Sequence, residues 1–105
     1  GDVYKRQGLR IKNLQTLGER SATGMDSERG VYVISVVDHY TPLNDFLQAN
    51  DVILKFADID VDNVNDFLEL LKQADLKNTQ RMVIFRNQSE KAISIPGNTI
   101  KEEGL

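Results

Sequence analysis

Cysteine is absent from the chain. That excludes disulfides and thiolate chemistry, and it leaves the redox compartment open, because cysteine-free domains fit cytosol and periplasm alike. Histidine occurs once, at His39. A catalytic serine needs a base beside it. His39 instead falls in the connection between Val37 and Thr41, away from any serine at a strand–helix elbow, and no G-x-S-x-G is present. It reads as a surface loop histidine, and no nucleophile–base pair is left to support an enzyme. Positive charge is in deficit, with a net charge of −3, so there is no electrostatic case for nucleic acid or an anionic membrane surface as a partner. No apolar run approaches the length needed to span a bilayer.

What remains is an ordinary globular composition. The 105 residues are 40% apolar and 28% charged, which suits one domain. The centre of the chain is Gly30–Phe56, which reads strand, turn, short helix, loop, strand. Val31, Val33, Ser35 and Val37 alternate with Tyr32, Ile34 and Val36 in a β-branched run. Thr41-Pro42 fits an N-cap followed by proline at the first helical position, and Leu43, Phe46 and Leu47 supply an apolar stripe. Asn50-Asp51 turns the chain into Val52-Ile53-Leu54, because asparagine tolerates the left-handed conformation.

On either side, Gly8–Leu14 alternates as a strand, and residues 15–29 are polar, with a short helical turn or loop expected near Leu17–Thr23. Ala57–Val61 is a tight turn and short strand. Asp62–Ala74 is the strongest helix, capped by Asp62 or Asn63, and its apolar face is wide enough to bury two sides. Gln80–Arg86 and Lys91–Ile95 alternate as a hairpin joined at Asn87–Glu90. Pro96-Gly97 ends the fold, and residues 97–105 read as a solvated linker. The fold class is mainly β with two helices.

Three pieces together resemble a PDZ domain of the HtrA/Deg protease kind: Gly30-Val31-Tyr32-Val33, Thr41-Pro42, and Leu47-Gln48-Ala49-Asn50-Asp51-Val52-Ile53. Asn50 stands where that family usually has glycine, and the short helix is one residue tighter than usual, without its terminal alanine-glycine. The resemblance covers roughly residues 8–95, and the domain is expected over residues 8–96. It implies a small, partly open β-barrel or sandwich with the permuted order of bacterial PDZ domains. It also implies non-catalytic binding of protein C-termini or extended peptides with an apolar terminal residue, and no cofactor. Gly8 and Leu9 match the second and third positions of the family's carboxylate-holding loop; the first should be apolar and is Gln7. An HtrA-like parent would place the domain in the periplasm or cell envelope, and oligomers would form only through the parent's other domains. Other PDZ-bearing parents, such as carboxyl-terminal processing proteases, site-2 proteases and secretion components, stay open.

Under this resemblance the peptide adds as a strand to the edge Gly8, Leu9, Arg10, Ile11, Lys12 and Asn13, with its carboxylate in a nest of backbone N–H groups near Gly8. Helical spacing puts Val64, Leu68 and Leu71 on the facing wall and turns Phe67, Leu70 and Ala74 toward the core. Leu9, Ile11 and Leu71 would line the pocket for the terminal side chain. Residues 1–7 are expected not to belong to the domain, because DVYKRQ is the translation of a transposon adapter that heads truncated metagenomic reading frames.

A reading from a different class uses the acidic run. Asp58, Asp60, Asp62, Asp66 and Glu69 fall at positions one, three, five, nine and twelve of an EF-hand-type calcium loop. Asn63 replaces the glycine of the sharp turn, and the preceding VILKF is a strand where an EF-hand needs a helix. The same carboxylates also suit a helix N-terminus.

Overall fold

The β-branched alternation of the sequence becomes one sheet. The structure, a computed structural model, describes residues 2–37 and 41–102. Seven strands, β1 (Tyr4–Arg6), β2 (Leu9–Asn13), β3 (Val31–Val36), β4 (Val52–Phe56), β5 (Ile59–Asp60), β6 (Gln80–Arg86) and β7 (Ser89–Ile95), pair antiparallel throughout. Their order is β1-β2-β3-β4-β6-β7, and β5 pairs separately with β4. Helix α1 spans Leu17–Thr23 and helix α2 spans Val64–Gln73. This is a mainly β fold with two helices, as the composition and spacing suggest.

Each element starts or stops for a local reason. Thr16 and Glu19 form a reciprocal capping box that starts α1, and Gly24 ends it in the left-handed conformation at φ 83°. Asn63, not Asp62, caps α2 by accepting a bond from the Asp66 N–H. A two-residue hairpin turn of type I′ matches strand twist and needs positive φ at both positions. Ala57-Asp58 and Asn87-Gln88 both meet that need, and Asn50 sits at φ 73° as its side chain permits. The segment after Thr41 forms a single 3₁₀ turn, Pro42–Asp45, rather than an α-helix. The Thr41 side chain makes no capping bond there.

The core lies between the sheet and α2. Leu9, Ile11, Val31, Val33, Ile53, Phe56, Val64, Phe67, Leu71, Met82 and Ile84 form one buried cluster. Phe67 meets Phe56 edge to face, with ring centres 6.0 Å apart. A smaller cluster of Leu14, Val52 and Leu54 packs with Met25, Tyr32, Val83 and Phe85.

Three expectations need correction. The final hairpin strand begins at Ser89, two residues earlier than the alternation suggests, because the turn uses only Asn87 and Gln88. Tyr4–Arg6, set aside as outside the domain, is a strand of the sheet. The segment after Pro96 is not simply solvated: Asn98 N–H bonds to Leu76 O, and Ile100 is buried in the main cluster.

Candidate functional site

The candidate edge begins at a turn. Gln7 and Gly8 both take left-handed φ, 57° and 75°, between Arg6 and Leu9, which pair across the ladder. A Cβ on Gly8 would lie 2.6 Å from Thr41 Cβ, so glycine is required there by conformation and by space. Both carbonyls of the turn are tied to the body of the domain. The Thr41 hydroxyl donates to Gln7 O at 2.8 Å, and Val37 N–H donates to Gly8 O at 2.9 Å. Gln7 is buried where an apolar residue was expected. Its amide bonds the Lys101 backbone twice: Nε2 donates to Lys101 O, and Oε1 accepts from Lys101 N–H. These bonds explain how a polar side chain is tolerated in that place.

The strand that follows sorts its side chains by face. Leu9 and Ile11 point into the core, at 1% and 0% exposure. Arg10 points outward and is exposed. Lys12 pairs with Glu19. Glu19 is partly desolvated, which alone would raise its carboxyl. Bonds from Lys12 and from the Gln15 and Thr16 N–H groups outweigh this and hold it at about 2. Asn13 Oδ1 accepts from Val64 N–H at 2.7 Å and so ties the end of β2 to the start of α2. The side chains of β2 therefore build the domain, and what β2 can offer a partner is its main-chain edge.

Helix α2 stands beside this strand. Val64, Phe67 and Leu71 are buried, while Leu68 and Leu70 are half-buried on either side of that face. The expectation that Val64, Leu68 and Leu71 line an open groove is corrected for two of them: Val64 and Leu71 are closed in the core at 1% exposure each. Only Leu68 keeps a partly open surface. Leu9, Ile11 and Leu71 likewise fill space rather than line a pocket. Leu70, expected in the core, is half-buried and packs against the main cluster, and it also borders a depression with Ala57, Ile59, Ala74 and Gln80.

The edge expected to be bare is paired. Strand β1 lies antiparallel on it, with Tyr4 opposite Ile11, Lys5 opposite Arg10 and Arg6 opposite Leu9. Tyr4 and Arg6 are half-buried on the core side, and Lys5 is exposed.

The acidic run does not converge. Asp58 faces Arg81 at 3.7 Å, Asp60 faces Lys55 and Arg29, and Asp62 faces Arg29. Asp66 Oδ2 accepts from the Asp62 N–H, and Glu69 pairs with Lys72. Among the described residues no three acidic or histidine side chains could hold one metal ion. The strand–turn–strand before α2 spreads these carboxylates, so the calcium-loop reading is overturned. His39 lies outside the described residues.

One feature was missed altogether. Asp51, fully buried, accepts from Arg86 Nε at 2.7 Å and from Nη2 at 2.6 Å, while Nη2 also donates to Phe46 O. The bonds to Asp51 raise the Arg86 pKa against the lowering effect of burial. Gln48 N–H donates to Asp51 Oδ2 at 2.9 Å, so the pair locks the entry to β4.

A family model described as PDZ domain matches residues 8–96. The chain belongs to the PDZ domain family. PDZ domains are binding modules and are generally non-catalytic. Among solved structures, the crystal structure of the HtrA3 PDZ domain bound to a phage-derived ligand (FGRWV) is similar at a TM-score of 0.67. It is 15% identical, and the match covers 90% of this chain and 86% of that one. The fold is thus the one that the sequence resemblance implies. No curated protein matches the chain in sequence. Among the described residues no helix of this PDZ domain is long and apolar enough to cross a membrane.

Proposed function

We propose that this PDZ domain binds protein C-termini or extended peptides by strand addition along β2, next to α2, with the terminal carboxylate directed to the turn at Gln7–Gly8. The observation that carries this reading is the edge itself. The side chains of β2 are spent on the core, on α2 and on Glu19, and its outer main chain pairs with an extended segment running antiparallel. Main-chain pairing supplies affinity that does not depend on sequence, and neighbouring side-chain positions supply selectivity. Leu68 supplies apolar surface on the α2 side. The resemblance to HtrA/Deg-type domains supports a parent protease in which the domain presents substrates or senses unfolded chains. Affinity should be micromolar, because a short peptide buries little area and must be ordered.

The test is a library of peptides with randomised, free C-termini. Enrichment of apolar terminal residues, lost when the carboxylate is amidated, is the expected result. FGRWV, the ligand in the HtrA3 structure, is a natural first probe. A library with no preference at its terminus would remove this reading.

A further inference from the structure

We infer that β1 holds the ligand edge as an intramolecular ligand, and that the strand able to displace it carries an acidic penultimate residue facing Arg10 between two apolar residues. The inference rests on the peptide-binding reading and adds the chemistry of the partner. Three observations carry it.

The first is polarity. Strand β1 runs antiparallel to β2 and its C-terminal residue, Arg6, meets the Gln7–Gly8 turn. A peptide arriving by its C-terminus, with its carboxylate at that turn, would run the same way and use the same edge, so the two are mutually exclusive. The second is the kind of contact: Tyr4–Arg6 pairs with Leu9–Ile11 residue for residue through the main chain, the same bonds an added peptide strand would make.

The third is mismatch. Residues directly opposite across an antiparallel ladder share a face. Lys5 is therefore set against Arg10, both exposed, and two cations opposite one another repel. Arg6 is half-buried on the face of buried Leu9, where an aliphatic residue would fit with less desolvation. Tyr4, opposite Ile11, packs well against the core. In register, a better strand reads apolar at the Tyr4 position, Asp or Glu at the Lys5 position, and apolar with a free carboxylate at the Arg6 position. Its acidic side chain would replace the repulsion at Arg10 with attraction.

The experiment uses the full chain, the full chain with Tyr4→Pro, and the full chain with a four-residue Gly-Ser insertion between Arg6 and Gln7. Proline removes an N–H from β1, and the insertion unlinks the hairpin without touching β2. The probes are two fluorescein-labelled pentapeptides with free C-termini, one ending Val-Glu-Val and one Val-Lys-Val. Amide hydrogen exchange at Leu9–Ile11 reports whether β1 has left the edge. Expected are at least tenfold tighter binding of the acidic probe by a β1-released chain than by the parent, and about a fivefold preference for the acidic over the basic probe, the size of one cross-strand charge swap. Arg10→Glu in the released chain should reverse that preference. Equal affinity for parent and released chains would overturn occupancy by β1 while leaving peptide binding standing. Indifference to the penultimate charge would overturn the role of Arg10. Absence of binding to every chain, with β2 exchange showing the edge released, would overturn the peptide-binding reading along with this one.

Discussion

Asp51 and Arg86 are 35 positions apart in the chain, yet their side chains meet in two bonds of 2.6 and 2.7 Å. Sequence spacing shows Asp51 only as the residue that enters β4. Nothing local distinguishes it from a solvated turn aspartate, because its partner arrives through the pairing of β4 with β6. A buried charge that loses its partner is costly. Asp51→Ala leaves Arg86 unpaired beside Phe46 and should lower stability by about 3 kcal/mol in a urea melt, the lower part of the range for broken buried pairs because Arg86 is partly exposed. Arg86→Ala strands the more deeply buried partner and should cost at least as much. Glu19 offers a test with pH. Its folded pKa of about 2 lies below its usual 4.5, so the folded state favours the ionised form. The stabilisation is complete above pH 4.5, fades as pH falls through that window, and is gone below about 2. Glu19→Gln, which can still complete a capping box, should therefore be about 1 kcal/mol less stable at pH 7 and equal to the parent near pH 2. Urea midpoints for both proteins across this range decide it; a difference that does not shrink with acid would mean that charge is not the cause.

At the level of elements, periodicity located α2 but divided its faces differently: it set Val64 and Leu71 on the groove wall with Leu68, whereas both are buried together with Phe67. It did not say which flank meets what. Two steps along a helix turn a side chain by roughly 200°, so Leu68 and Leu70 do lie on different sides. The pattern alone cannot show that each of them is left half-buried. Strand β1 was illegible for another reason: Tyr4–Arg6 has no alternation long enough to read, and its pairing comes from the turn at Gln7–Gly8. The leucines now separate three ways. Leu71→Ala should cost about 3 kcal/mol, because the site is enclosed. Leu68→Ala and Leu70→Ala should each cost about 1 kcal/mol, from partial loss of buried area. Only Leu68→Ala should also weaken peptide binding. Denaturant melts paired with titration of a C-terminal peptide check all three, and equal binding by the Leu68 and Leu70 variants would remove Leu68 from the site.

Across the whole molecule, Lys101 meets Gln7 at the head of the candidate edge. Pro96-Gly97 reads in sequence as a stop, and the polar residues after it carry no periodic signal. Ile100, which with Leu105 makes up the only apolar content of that sequence, is nevertheless 4% exposed in the main core cluster. That is too little pattern to read, although an isoleucine beyond an apparent stop is the signal that was there. Gly97 makes the route possible, since a Cβ on it would fall 2.1 Å from Lys77 O. The route brings the Lys101 backbone to the Gln7 amide, across 94 positions of sequence. The tail thus anchors the turn whose N–H groups are proposed to receive a carboxylate. Ile100→Ala should lower stability by about 2 kcal/mol, the low end for such truncations because a terminal segment can collapse into the space left. Hydrogen exchange at Gln7–Leu9 should rise along with it, beyond the increase caused by an equally destabilising change in the distant small cluster, such as Val52→Ala. Lys101→Ala is the control: its contacts to Gln7 are made by the backbone, so stability and exchange should both stay at parent values. If Ile100→Ala leaves exchange at Gln7–Leu9 unchanged while the melt shifts, the tail contributes burial only, and the turn is held by Thr41 and Val37 alone.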